Sequence, residues 1–128
     1  MEQARTTTRN GRPVIEAPGV RAALARAHVE LEVLKRQCYR SVGRIVAGGS
    51  PGPESSVDKI VLAGVEQRIA QTALDVLGPH ATFAGEDTDP GEWHRFYLYA
   101  RAGSVYGGSA QIQRNIIAER VLGLPRSG

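Results

Sequence analysis

Cysteine, aromatic residues and long apolar runs are all scarce in this chain of 128 residues. The single cysteine, Cys38, cannot form an internal disulfide, which excludes a disulfide-stapled scaffold and makes the cytoplasm the expected location. No apolar run approaches the ~20 residues needed to cross a bilayer, and the first residues do not resemble a signal peptide, so we expect no membrane insertion. Aromatic residues make up only 5% of the chain, whereas small aliphatic residues are plentiful, which favours helix-on-helix packing.

Metal-binding and nucleic-acid-binding patterns are also missing. His28, His80 and His94 have no ligand-like spacing to one another or to Cys38, so we expect no metal site. The net charge is +3, but the basic residues alternate with acidic ones instead of gathering in one stripe. Because mixed signs are typical of a solvated helix face, nucleic acid is not an expected partner.

Residues 1–17 are polar and basic, and we expect an extended lead-in there, followed by one helical domain over residues 18–128. Pro18 opens a long helix that runs to about Ala47, where a glycine- and proline-rich stretch stops it. Its apolar residues recur every three or four positions and predict one continuous stripe that includes Cys38 as a small core residue. The stripe consists of Val20, Leu24, Ala27, Leu31, Leu34, Cys38, Val42 and Ile45.

Three more helices follow. The second is expected to be capped by Ser55 or Ser56, with Asp58 as the partner in a capping box, and to end at Gly78. The third is expected to begin at Asp89-Pro90, after an acidic loop, and to run to about Val105.

The fourth helix is expected to begin at Ser109 and to turn its isoleucines and Leu122 inward. No stretch alternates between apolar and polar residues, so no strand is predicted. The expected fold class is therefore all-α, an antiparallel four-helix up-and-down bundle.

The most specific motif joins the last two helices: Tyr106-Gly107-Gly108-Ser109-Ala110-Gln111-Ile112-Gln113-Arg114. The glycine pair predicts a tight corner that leaves backbone N–H groups free at the start of a helix. From the residues alone, the pair could be a plain helix–helix corner and Ser109 a plain N-cap. The stretch from Tyr106 to Arg126 resembles the closing segment of acyl-CoA dehydrogenases, the flavoenzymes that desaturate acyl thioesters. Residues 9–126 as a whole resemble that family's C-terminal helical domain.

The resemblance implies FAD as the cofactor, an acyl-CoA substrate and a homo- or hetero-oligomer of acyl-CoA dehydrogenase chains. It places Ser109 and Gln111 beside the flavin and Gly107 and Gly108 beside the substrate thioester. It also places Gly78 beside the cofactor of a neighbouring subunit, although Asp75 and Pro79 depart from the family pattern there.

One departure limits the implied activity. Many family members carry their catalytic glutamate at the position of Gly107, which has no side chain, so no catalytic residue is assigned here. Other members place the base on a first bundle helix to which nothing in this chain corresponds. The expected function is therefore that of the C-terminal domain of a flavin-dependent acyl-CoA dehydrogenase, inactive alone. The alternative is a non-catalytic helical assembly subunit that pairs with a full-length enzyme. Either role predicts an uncovered apolar patch on the isolated chain.

Overall fold

The computed structural model describes residues 1–81 and 91–126. The all-α class is confirmed, with five α-helices over these residues: α1 (Glu2–Thr6), α2 (Pro18–Val46), α3 (Ser55–Leu77), α4 (Gly91–Ala100) and α5 (Ala110–Ile116). Short 3-10 turns occupy Val14–Glu16, Gly78–Ala81 and Ala102–Ser104, and a π-helical segment, Ile117–Val121, continues α5. The predicted start of the third helix at Asp89-Pro90 and the acidic loop before it lie outside the described residues.

Helix α3 is the centre of the fold because it is buried on two opposite sides. Ala63, Ala70 and Leu74 are buried along one side, and Val65 and Val76 are buried along the other. Helices α2, α4 and α5 all pack against α3. The buried aliphatic side chains are small, since five of the ten described ones are alanines, and this permits close helix approach but leaves a thin core.

Helix α2 runs antiparallel to α3, and a polar contact fixes the pair. The Asp58 carboxylate accepts hydrogen bonds from Gln37 Nε2 at 2.8 Å and from Ser41 Oγ at 2.5 Å, both on α2. The predicted capping box is therefore wrong: Glu54 is the N-cap residue and makes no side-chain cap bond, while the Ser55 hydroxyl donates to the Gly52 carbonyl. Asp58 is used between helices instead of at the helix end.

The first seventeen residues are more structured than the expected extended lead-in. They contain α1 and a hairpin of two short strands, β1 (Thr8–Arg9) and β2 (Arg12–Pro13), so the prediction of no strands is wrong. Asn10 and Gly11, with φ of 53° and 74°, form the turn that an Asn-Gly pair favours. Ala4 and Val14 pack with Val76 in one buried cluster, which anchors the segment to the end of α3.

The apolar stripe on α2 is covered along only half its length. Val20, Leu24 and Ala27 are half-buried, and Leu34 is buried. The remaining stripe residues are exposed: Leu31, Cys38, Val42 and Ile45, called here the bare face of α2. The prediction of a core position for Cys38 is wrong, whereas the prediction of an uncovered apolar patch is confirmed for α2.

The last two helices also depart from the pattern. The third ends at Ala100, five residues early, because the chain tightens into a 3-10 turn where Gly103 lies against Ala63 of α3. Ile112 on α5 and Leu122, which follows the π-helical segment, were expected inward but are exposed, and Gln113 is buried instead. This helix is positioned by a polar contact within the chain, and part of its apolar surface has no cover among the described residues.

Candidate functional site

The glycine pair forms the predicted corner between the 3-10 turn and α5. Gly107 and Gly108 both have positive φ, 65° and 97°, a region that side chains disfavour. Ser109 then caps α5, its hydroxyl oxygen accepting from the Ile112 N–H at 3.4 Å, so the prediction of an N-cap there is confirmed. Gln111 lies exposed on the first turn of α5.

The corner leaves backbone donors unused. The N–H groups of Gly107 and Gly108 make no hydrogen bond within the part of the chain that the structure describes. Two neighbouring N–H groups can stabilise negative charge that develops on a carbonyl oxygen. The arrangement can therefore polarise a thioester, but Gly107 brings no side chain that could accept a proton.

Helix α3 holds the segment that leads into the corner. Lys59 Nζ donates to the Gly103 carbonyl at 2.5 Å and lies 4.5 Å from the centre of the Tyr106 ring. Further along α3, Gln67 Nε2 donates to the Ala100 carbonyl at 3.1 Å. These contacts fix the turn from the inner side and leave the corner accessible from outside.

Tyr106 sits between this support and the corner. Loss of hydration raises the pKa of its phenol above the ordinary value, and Tyr99 and Glu66 act in the same direction. The phenol is thus neutral at physiological pH, and the ring can lie beside the Lys59 ammonium as a cation–π partner.

Sequence reasoning missed Gln113, to which it assigned no role. The structure buries this side chain, and its Nε2 donates to the Gly107 carbonyl at 3.0 Å. The available signal was its position one helical turn after the cap, where a long amide can fold back onto the preceding loop.

The predicted cofactor residue Gly78 ends α3 with φ of 72°. Sequence reasoning missed its neighbour Arg9, whose Nη2 donates to the Asp75 carbonyl at 2.9 Å and lies 3.1 Å from where a Gly78 Cβ would be. The Asp75 carboxylate accepts from Gln71 Nε2 at 3.0 Å. A guanidinium thus stands next to the acidic residue that departs from the family pattern.

The structure does not bring all the predicted site residues together. Lys59, which supports the corner, lies near the start of α3 and Gly78 directly follows its end, so ~28 Å separates them at 1.5 Å per residue. The corner of Gly107 to Gln111 and the Arg9–Gly78 end are thus two separate locations within one chain.

The described residues contain no group of histidine, cysteine or acidic side chains that could hold a metal ion. Over those same ranges, no helix combines the length and the apolar character that crossing a bilayer requires.

Comparison with known proteins identifies the relatives of this chain. The chain is similar to acyl-CoA dehydrogenase IpdE1 of Mycobacterium tuberculosis, 41% identical over 111 residues that cover 85% of this chain and 28% of the relative. IpdE1 of Mycolicibacterium smegmatis is 49% identical over 76 residues, 59% of this chain and 19% of that protein. The chain therefore spans less than a third of the length of these relatives.

Solved structures share the fold. A chain of the ChsE4-ChsE5 complex from Mycobacterium tuberculosis superposes with a TM-score of 0.83 at 28% identity, over 98% of this chain and 34% of that one. The FAD complex of PigA gives a TM-score of 0.81 at 20% identity, over 96% of this chain and 30% of that one, and shows the fold alone. The family model of the acyl-CoA dehydrogenase C-terminal domain matches residues 1–122. The chain belongs to the acyl-CoA dehydrogenase family and forms its C-terminal helical domain.

Proposed function

We propose that this chain is the C-terminal part of a flavin-dependent acyl-CoA dehydrogenase that desaturates an acyl-CoA thioester only together with further polypeptide. The observation that carries the proposal is the corner at Gly107 and Gly108, which presents two unused N–H donors in a chain of this family. The bare face of α2 supports the need for further polypeptide, because exposed apolar surface of this extent is typical of a docking region.

The chemistry asks three things of the protein. The thioester carbonyl must be polarised so that the α-proton becomes acidic, and the free N–H groups of the corner suit that task. A base of suitable pKa must take this proton. Bound FAD would supply the acceptor for the hydride that leaves the β-carbon. This chain supplies the polarisation of the thioester carbonyl from its backbone.

The residues present fit a flavin dinucleotide in two places. Ser109 and Gln111 line the start of α5, where hydroxyl and amide groups could meet the flavin. At the other location, the Arg9 guanidinium next to Gly78 offers a positive charge where no Cβ obstructs a phosphate. Since the two places lie far apart in one chain, we assign them to the sites of two different subunits.

We assign the proton acceptor to the polypeptide that completes the site, because Gly107 has no side chain. The relative of known structure that is 28% identical was solved as the ChsE4-ChsE5 complex, and this supports an assembly of more than one chain here as well.

Co-expression tests the proposal. The chain is produced with a polypeptide that resembles the N-terminal and middle parts of the family, purified by size exclusion, and assayed for flavin absorbance and acyl-CoA desaturation. We expect a stable complex that retains FAD and turns over, while each part alone does neither. A complex that holds no flavin would refute the proposal.

Gly107 also favours a second candidate, a catalytically silent assembly subunit that pairs with a full-length acyl-CoA dehydrogenase. In that case the chain binds the active enzyme, and Ser109→Ala or Gln111→Ala leaves turnover unchanged. Under the first proposal the same two substitutions lower FAD retention. Measuring flavin content and turnover of both variants in the complex separates the two functions.

A further inference from the structure

The corner is fixed by a side chain whose burial is unusual. Gln113 and Ser56 are the two buried polar residues in the described part of the chain, and Gln113 is only 8% exposed. Its Nε2 donates to the Gly107 carbonyl at 3.0 Å. Because a buried amide is costly without partners, this bond holds both the side chain and the carbonyl in place.

The absence of a side chain at Gly108 leaves room for that bond. A Cβ at Gly108 would lie 2.5 Å from Gln113 Nε2, closer than atoms that are not bonded can approach. At Gly107, by contrast, a Cβ would meet only Lys59 Cε at an ordinary 3.5 Å. The second glycine of the motif is thus needed for the amide contact as well as for its backbone angles.

The bond from Gln113 to the Gly107 carbonyl sets the direction of the free Gly108 N–H. The peptide bond between Gly107 and Gly108 is trans, so its carbonyl and its N–H point in opposite directions. With the carbonyl held inward by Gln113, the Gly108 N–H is directed outward, away from the amide. On the other side of Gly107, Lys59 restrains Tyr106 and the Gly103 carbonyl.

We propose that Gln113 is a positioning residue: its bond to the Gly107 carbonyl fixes the Gly107–Gly108 peptide plane and so aims the free Gly108 N–H at the thioester oxygen. This inference rests on the proposed function and deepens it. It assigns Gln113 no contact with substrate or flavin. The amide acts through the orientation of one peptide plane, so its removal weakens alignment without removing a donor.

The test uses the assembled, flavin-loaded complex. Gln113→Met keeps the length of the side chain but cannot donate, and we expect kcat to fall by about 10- to 100-fold with flavin content unchanged. Asn115→Asp, an exposed amide on the same helix, is the control and leaves kcat unchanged. Equal kcat for wild type and Gln113→Met would overturn the inference.

A second variant guards against loss of folding. Gln113→Glu places a carboxylate against the Gly107 carbonyl, and protonation at lower pH restores a donor, so kcat should recover as the pH falls. Lys59, Arg68 and Arg114 line the same hollow and shift that recovery to lower pH, and Glu66 is the acidic group near Gly103. A Gln113→Glu profile parallel to that of wild type would contradict the positioning role.

Flavin content and turnover separate failure of the proposed function from failure of the positioning role. A wild-type complex without flavin refutes the proposed function. A flavin-loaded wild-type complex without turnover overturns the positioning role and leaves cofactor binding intact.

Discussion

The corner at Gly107 and Gly108 is held by contacts within the chain, whereas the bare face of α2 is left exposed. Around the corner, the carbonyls of Ala100, Gly103 and Gly107 are all engaged by side chains of the same chain. On the bare face of α2, four large or sulfur-containing side chains in succession face solvent. The chain thus fixes the geometry of its corner with its own side chains, whereas the exposed face supports the proposal that further polypeptide packs there.

Charging the bare face of α2 is expected to have the largest effect. Val42 and Ile45 are 55% and 47% exposed, so Val42→Glu with Ile45→Glu should leave the isolated fold intact. In the complex both carboxylates would be buried unpaired, and we expect association to weaken by at least about 100-fold. Analytical ultracentrifugation measures the compactness of the isolated variant and its association in the complex. Ala22→Glu, on the opposite side of α2, is the control. Unchanged association would show that the face stays open.

A matched pair of leucines on α2 gives the next largest effect. Leu34 is 8% exposed and lies against α3, whereas Leu31, one turn earlier, is 46% exposed. In the isolated chain, Leu34→Ala should cost about 3 kcal/mol and Leu31→Ala less than about 1 kcal/mol, because only the first opens a cavity. Urea unfolding of both variants checks this. In the complex the two costs should converge, and a persistent difference would argue against a partner at Leu31.

Much of the fold could be predicted because it depends on local chemistry. The proline at the start of α2, the glycine after α3 and the serine before α5 set helix ends within a residue or two, and the structure keeps them. The lead-in was harder, since the burial of Ala4 and Val14 depends on contacts with Val76 far along the chain. Periodicity identified the stripe on α2 but could not tell which half the same chain covers.

The site residues likewise differ in whether they could be predicted from the sequence. The glycine pair and the serine cap carry local signals, and both could be predicted. Gln113 and Arg9 could not, because their roles come from tertiary contacts: one amide folds back onto a carbonyl, and one guanidinium reaches the end of α3 from a hairpin. Neither contact leaves a periodic pattern in the sequence.

Alanine substitutions at Gly108 and Gly48 measure how far the Gln113 contact constrains the corner. Gly108 and Gly48 have similar positive φ values, 97° and 87°, but a side chain at Gly48 would meet nothing within 4 Å. Gly48→Ala should cost about 1 kcal/mol from backbone strain alone, and Gly108→Ala about 2–3 kcal/mol because the Gln113 contact is also lost. Thermal unfolding of both variants is the measurement. Equal costs would mean that the amide does not constrain the corner.

The smallest expected effect concerns alkaline pH. The pKa of Tyr106 is raised in the folded chain, so the folded state holds this proton more tightly than the unfolded state does. That contribution to stability is present below the ordinary pKa of tyrosine and is lost as the pH rises through the raised value. Tyr106→Phe should therefore flatten the alkaline loss of stability. Denaturant titrations across that range check it, and identical profiles would contradict the shift.

Cys38 offers the most direct measurement of the central claim, because it lies in the middle of the bare face of α2 and is exposed there. Its alkylation rate by a maleimide is followed by mass spectrometry of the Cys38 peptide, in the isolated chain and in the flavin-loaded complex. We expect rapid labelling of the isolated chain and at least about tenfold protection in the complex. Equal labelling rates in the two samples would contradict it.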